Sequence, residues 1–266
     1  MRISCATFLF QGMPLEDALK RVRDLGFSFA ELSINYDQKW GHLHTSDVLD
    51  DLSGAIKRCQ LAVADSGVKL SSINVNFHST AVNVRGQFES VCDLARATDV
   101  SVVSTVSNQA SERLEVNRLK DFISVAATRT RVLSLETFSP SLCSNPEEAV
   151  HFMKSVPGLK VTLDTGHLLA SGHVKESWLP LFPHLALVHL KDSGPDYEHY
   201  QVPVGSGLLD TGFVLDNLAT AGYEGDLVVE YPGPRAFRQG AMDYERETVR
   251  LRELLEKELA SRGTPR

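Results

Sequence analysis

Apolar runs recur along the whole chain, and each is followed by a stretch whose apolar residues return at helical spacing. The runs are Arg2–Thr7, Phe29–Ile34, Leu70–Val75, Ser101–Val106, Val132–Glu136, Leu159–Asp164, Leu185–Lys191 and Leu227–Tyr231. One run per roughly 33 residues is the length of a strand, a helix and two short connections. The helices announce themselves at their ends. Pro14 precedes a stripe of Leu15, Ala18, Leu19, Val22 and Leu25, with Gly26 as a stop. Asn145 before Pro146, Glu147 and Glu148 reads as a cap with acidic residues at the positive helix end. Thr211 opens a further helix that closes near Gly222, and Asp243 to Leu259 forms the last.

Strands that alternate with helices imply a parallel sheet with crossover connections. Eight such units over 266 residues predict a closed (β/α)8 TIM barrel occupying 1–266 as a single domain. A doubly wound open sheet with an extra lobe is the alternative. No GxGxxG follows an early strand, which weakens its dinucleotide-binding form.

Composition narrows the class of function. The chain is 42% hydrophobic and 23% charged, which rules out a disordered or low-complexity protein. With 27 Lys+Arg against 34 Asp+Glu, the net charge of −7 opposes a role in gripping nucleic-acid phosphates. Cys5, Cys59, Cys92 and Cys143 lie far apart without zinc spacing and read as buried thiols in a reducing compartment. The run Met1–Phe10 lacks a small-residue cleavage site and reads as a first strand. No stretch approaches about 18 uninterrupted apolar residues, so no membrane span is expected. A cytoplasmic protein acting on a small molecule is the expectation, with homo-oligomerisation left open.

In a barrel, function gathers at the carboxyl ends of the strands. Four successive strands end in metal-competent groups: Glu136 in LSLET, Asp164 in VTLDTGH, His189 in LVHLKD and Glu230 in LVVEYPG. Charged or imidazole groups among branched apolar residues must be paired or coordinated to offset their desolvation. Three carboxylates and one imidazole suit one hard divalent cation, with Mn²⁺ the first expectation and Mg²⁺, Co²⁺ or Zn²⁺ the alternatives.

These segments resemble the last four strands of the sugar isomerase/epimerase family of TIM barrels, the xylose isomerase-like group that also includes inosose dehydratases and endonuclease IV. MRISCATF, DALKRVRDLGFSFAEL and SSINVNF fit its first three units, so the resemblance covers nearly the whole chain. It implies that Glu136, Asp164, His189 and Glu230 ligate one divalent cation, and that His167 contacts a substrate oxygen. It also implies that Glu136 and Glu230 serve as acid and base on opposite faces of a sugar. One position departs: Pro195 stands where the epimerases place an Arg, six residues beyond the histidine, so the grip on substrate must differ in this loop.

The expected activity is isomerisation or epimerisation of a sugar or sugar phosphate through an enediolate. Expulsion of a β-hydroxyl from the same intermediate would instead make a dehydratase of a keto-polyol, of the inosose or 3-dehydroshikimate type. His78, Asn108 and Lys191 are candidate substrate contacts, with Lys191 and Asp192 also placed to orient His189. Arg235, with Arg238, is a candidate for a substrate phosphate or carboxylate. Glu31, Trp40 and His44 are candidates to close the pocket, and Gly205 and Gly207 to bring backbone close to ligand. A three-metal nuclease would need a histidine after the fourth strand, where VVSTVSNQ has none. A non-catalytic sugar-binding barrel would not require two potential bases around a metal.

Overall fold

The structure is a computed structural model that describes residues 1–263 apart from 38, 130 and 233–241. All eight apolar runs are strands: β1 Arg2–Ala6, β2 Phe29–Asn35, β4 Lys69–Asn76, β5 Val102–Thr105, β6 Val132–Glu136, β7 Lys160–Asp164, β8 Leu185–Leu190 and β9 Asp226–Val229. A two-residue strand, β3 Leu43–His44, adds to the outer edge of β2. The remaining strands pair in parallel, β1–β2–β4–β5–β6–β7–β8–β9, and β9 pairs back onto β1, closing an eight-stranded barrel. Closure carries its own lock, because Arg2 is bonded to both carboxylate oxygens of Asp226, at 2.6 and 2.8 Å.

The helices wrap this barrel as their sequences direct. In α1 Leu15–Asp24 the stripe Leu15, Ala18, Leu19 and Val22 is wholly buried, and Gly26 leaves the helix at φ 84°. Asn145 caps α6 Pro146–Ser155 by accepting from the Glu148 N–H at 2.9 Å. The other helices are α2 Thr45–Asp50, α3 Leu52–Ser66, α4 Val84–Ala97, α5 Glu112–Thr128, α7 Thr165–Ala170, α8 Thr211–Thr220 and α9 Tyr244–Ser261. The main core lies between helices and sheet and includes Leu19, Ile34, Phe88, Phe122, Leu163 and Leu255. All four cysteines are buried and unpaired, and burial pushes the Cys59 and Cys92 thiols up to about 12. Among the described residues no helix is long and apolar enough to cross a membrane.

Inside the barrel, alternate residues form layers. Ser104 and Ser134 hydrogen-bond to Thr162 at 2.8 and 2.7 Å. Two residues further along β6 and β7, on the same faces as Ser134 and Thr162, stand Glu136 and Asp164. A hydroxyl layer thus lies below a carboxylate layer. Glu230 falls one residue past β9, although its N–H still donates to Leu190 O at 3.0 Å.

Candidate metal centre

Glu136, Asp164, His189 and Glu230 each bring one ligand atom into a group whose members all lie within 4.8 Å of one another. Asp164 and His189 sit side by side because β7 and β8 pair them in register. The Asp164 carboxylate is split between two duties. Its Oδ1 caps α7 by accepting from the His167 N–H at 3.0 Å, while Oδ2 faces the cluster. Glu136 Oε2 accepts from Asn74 Nδ2 at 2.8 Å, leaving Oε1 toward His189.

Among the described residues neither ring nitrogen of the buried His189 has a hydrogen-bond partner, and Nδ1 faces Glu136 Oε1 at 3.5 Å, Glu230 Oε2 at 3.5 Å and Asp164 Oδ2 at 3.9 Å. Donors that each sit about 2.0–2.2 Å from a shared ion stand roughly 3–4 Å apart. An orphaned imidazole nitrogen ringed by three carboxylate oxygens at that spacing fits a single divalent cation. On its other side, His189 Nε2 lies 3.0 Å from Glu31 Oε1, and Glu31 Oε2 accepts from Ser72 Oγ at 2.8 Å. This carboxylate stands behind the imidazole, on the side away from the cluster.

The cluster also contains a lysine. Lys191 Nζ lies 2.5 Å from Asp164 Oδ2 and donates to Glu230 Oε2 as well. Burial opposes its charge, yet Asp164 and Glu230 hold the ammonium well above the usual lysine range. Burial would likewise raise Glu230, but Lys191 and His189 outweigh it and keep that carboxyl below the ordinary range. Glu136 is raised, chiefly by burial and further by Glu230 and Asp164, against the pull of His189. Burial would depress His189, whereas Glu31, Glu230 and Glu136 around it raise it well above the usual value.

A cavity of about 420 Å³ opens onto this group. Glu136 and Glu230 are among its lining residues, whereas Asp164 and His189 are fully buried and are not. Asn35, Asn74, Asn76 and Asn108 also line it, together with the aromatic side chains of Phe8, Tyr36, Trp40, Phe77 and Phe138.

The other sequence candidates divide. Asn108 lines the cavity, its Nδ2 donating to Phe77 O. His167 lines it too, with Nδ1 3.0 Å from the Tyr197 hydroxyl and Nε2 3.2 Å from that of Tyr200. Burial pushes this imidazole down to about 4. Trp40 lines the wall, but His44 turns away to Ser46 and Tyr36 O. His78 is exposed outside the lining and meets the edge of Tyr36. Lys191 is buried within the carboxylates and does not line the cavity. Arg235 and Arg238 lie outside the described residues.

Two expectations change. Glu31 lies within β2 and lines the cavity as expected, but it also stands behind His189, the place expected of Lys191 and Asp192. Asp192 instead collects the N–H groups of Ser193, Gly205, Gly207 and Leu209, so both glycines approach that carboxylate, which folds the loop after β8. Asn74, Asn76, Tyr197 and Tyr200 went unnoticed in the sequence. A signal existed for the asparagines: Glu31, Ser33 and Asn35, like Ser72, Asn74 and Asn76, are polar at every second position of otherwise apolar strands.

Comparison with known proteins places these features in a family. The family model for a xylose isomerase-like TIM barrel matches residues 19–256. A xylose isomerase-like TIM barrel protein of Mycobacterium smegmatis, solved in complex with magnesium, superposes with TM-score 0.77 at 19% identity, covering 98% of this chain and 97% of that one. The probable 3-DHS dehydratase AsbF of Bacillus anthracis gives 0.70 at 18% identity, over 94% of this chain and 98% of its own. A D-allulose 3-epimerase from Methylomonas sp. gives 0.71 at 14% identity, over 97% of each. No curated protein matches the chain in sequence.

Proposed function

Since the chain belongs to the xylose isomerase-like TIM barrel family, we propose that it is a divalent-cation-dependent isomerase or epimerase of a small sugar or polyol. The observation that carries this reading is the convergence of Glu136, Asp164, His189 and Glu230 beside a cavity that two of them line. Those two are the glutamates. Asp164 and His189, shielded from the cavity, serve as ligands alone.

A bound divalent ion, Mn²⁺ first and Mg²⁺ next, supplies a Lewis acid that polarises a substrate carbonyl, worth several kcal/mol. The chain's own groups do the rest. One of Glu136 and Glu230 removes a proton from the carbon beside the carbonyl, and the other returns one, either to the opposite face of that carbon or to the former carbonyl carbon as the hydroxyl proton passes to the former carbonyl oxygen. Asn74 holds the Glu136 carboxylate through Oε2, and Lys191 holds that of Glu230. The asparagine amides on one wall suit the hydroxyl groups of a polyol, and the aromatic rings suit its C–H faces.

The test is proton exchange from deuterated water into a panel of ketoses and inososes by Mn²⁺-replete protein. Exchange is expected in at least one, and Glu136→Gln is expected to slow it about 100- to 10,000-fold. Full turnover by that variant on the responsive substrate would remove the mechanism. Loss of water from a keto-polyol, with exchange preceding it, would assign the dehydratase outcome of the same chemistry.

A further inference from the structure

Lys191 carries a positive charge into the place where a metal ion would find its ligands. Its Nζ rests on Asp164 Oδ2 and Glu230 Oε2. These are the same two atoms that face His189 Nδ1 at 3.9 and 3.5 Å, so ammonium and ion would draw on shared oxygens. The side chain is fully buried, where solvent and salt screen little of the repulsion between two cations.

The chain makes room for this lysine. A Cβ at Gly166 would lie 2.4 Å from Lys191 Cγ and 2.5 Å from Cε, so the stem passes through space that no other residue at 166 would leave. Gly166 is not among the glycines with positive φ, which leaves that space as the reason for a glycine. The Tyr200 ring stands 5.7 Å from the ammonium on a further side.

We propose that Lys191 is a resident competitor of the cation: it holds Asp164 and Glu230 together before metal arrives, and it lowers the affinity of the site for that metal. The inference rests on the metal-centre reading above. Without the ammonium, Glu136, Asp164 and Glu230 would present an ion with a more negative cage, at the cost of a less stable metal-free protein.

Mn²⁺ alone is the probe, with free ion followed by electron paramagnetic resonance and melting temperature measured with and without metal. Lys191→Met is expected to bind Mn²⁺ about tenfold or more tightly than the parent, to melt lower without metal, and to gain more on adding it. A lysine acting only as packing would lower the melting temperature and leave the affinity alone. Equal or weaker binding by the variant therefore overturns the proposal. Should Lys191→Met not fold, the unaltered protein decides: one lysine Cε carbon resonance must shift stoichiometrically as Mg²⁺ is added. Metal uptake with no lysine signal moving overturns the proposal while sparing the metal centre. No stoichiometric uptake by either protein overturns both.

Discussion

Strands β6 to β9 and strands β2 to β5 meet at one cavity with opposite chemistry. The first set brings Glu136, Asp164, His189 and Glu230 within 4.8 Å of one another and threads Lys191 among them. The second set lines the cavity with Asn35, Asn74, Asn76, and, just past β5, Asn108. On the charged side Asp164 and Glu230 both meet the Lys191 ammonium. On the amide side, Asn76 Oδ1 is buried with no hydrogen-bond partner among the described residues. On the proposed reading, one side would carry the reaction and the other would select the molecule that undergoes it.

The largest expected effect concerns an imidazole beside the charged groups. His167 is held near 4 by burial, against an ordinary 6.5. Between those values the unfolded chain binds a proton that the folded one refuses, so stability is lost as pH falls from about 6.5 toward about 4. The loss is on the order of 2–3 kcal/mol by about pH 4.5. Urea midpoints near neutrality and near pH 4.5 should therefore converge between the parent and His167→Gln as the medium is acidified. A constant gap would place a charged imidazole there.

Next comes the residue that crosses the divide. Glu31 stands on β2 but serves His189, and Glu31→Gln should weaken metal binding about 10- to 100-fold. An unchanged affinity would make the separation between the two sides complete. The smallest effect lies wholly on the amide side. Asn76→Leu should raise the KM of the responsive polyol about five- to tenfold and leave the Mn²⁺ affinity as it was. A parallel loss of metal binding would show that the two walls are one unit.

The same contrast explains what could be read in the sequence. Barrel strands buried on both faces are near-continuous apolar runs, so the eight barrel strands stand out, and a carboxylate or imidazole at the end of such a run is conspicuous. Glu136, Asp164, His189 and Glu230 were legible for that reason. Asn74 and Asn76 were not, because a neutral amide between Ile73 and Val75 perturbs the pattern little. Tyr197 and Tyr200 reach His167 across some thirty residues of chain, and only the folded loop after β8 brings them there. The short β3 has no sequence signal beyond the pairing that β2 offers it.

Within that loop one side chain gathers the most backbone N–H groups. Asp192 draws in Ser193 at one end and Gly205, Gly207 and Leu209 at the other, so the stretch between is tied off at its base like the neck of a bag. The arc beyond the knot carries Pro195 and Tyr197, and through Tyr197 it reaches His167 in the cavity wall, so a change of residues there would alter that wall while the strand that carries His189 kept its base.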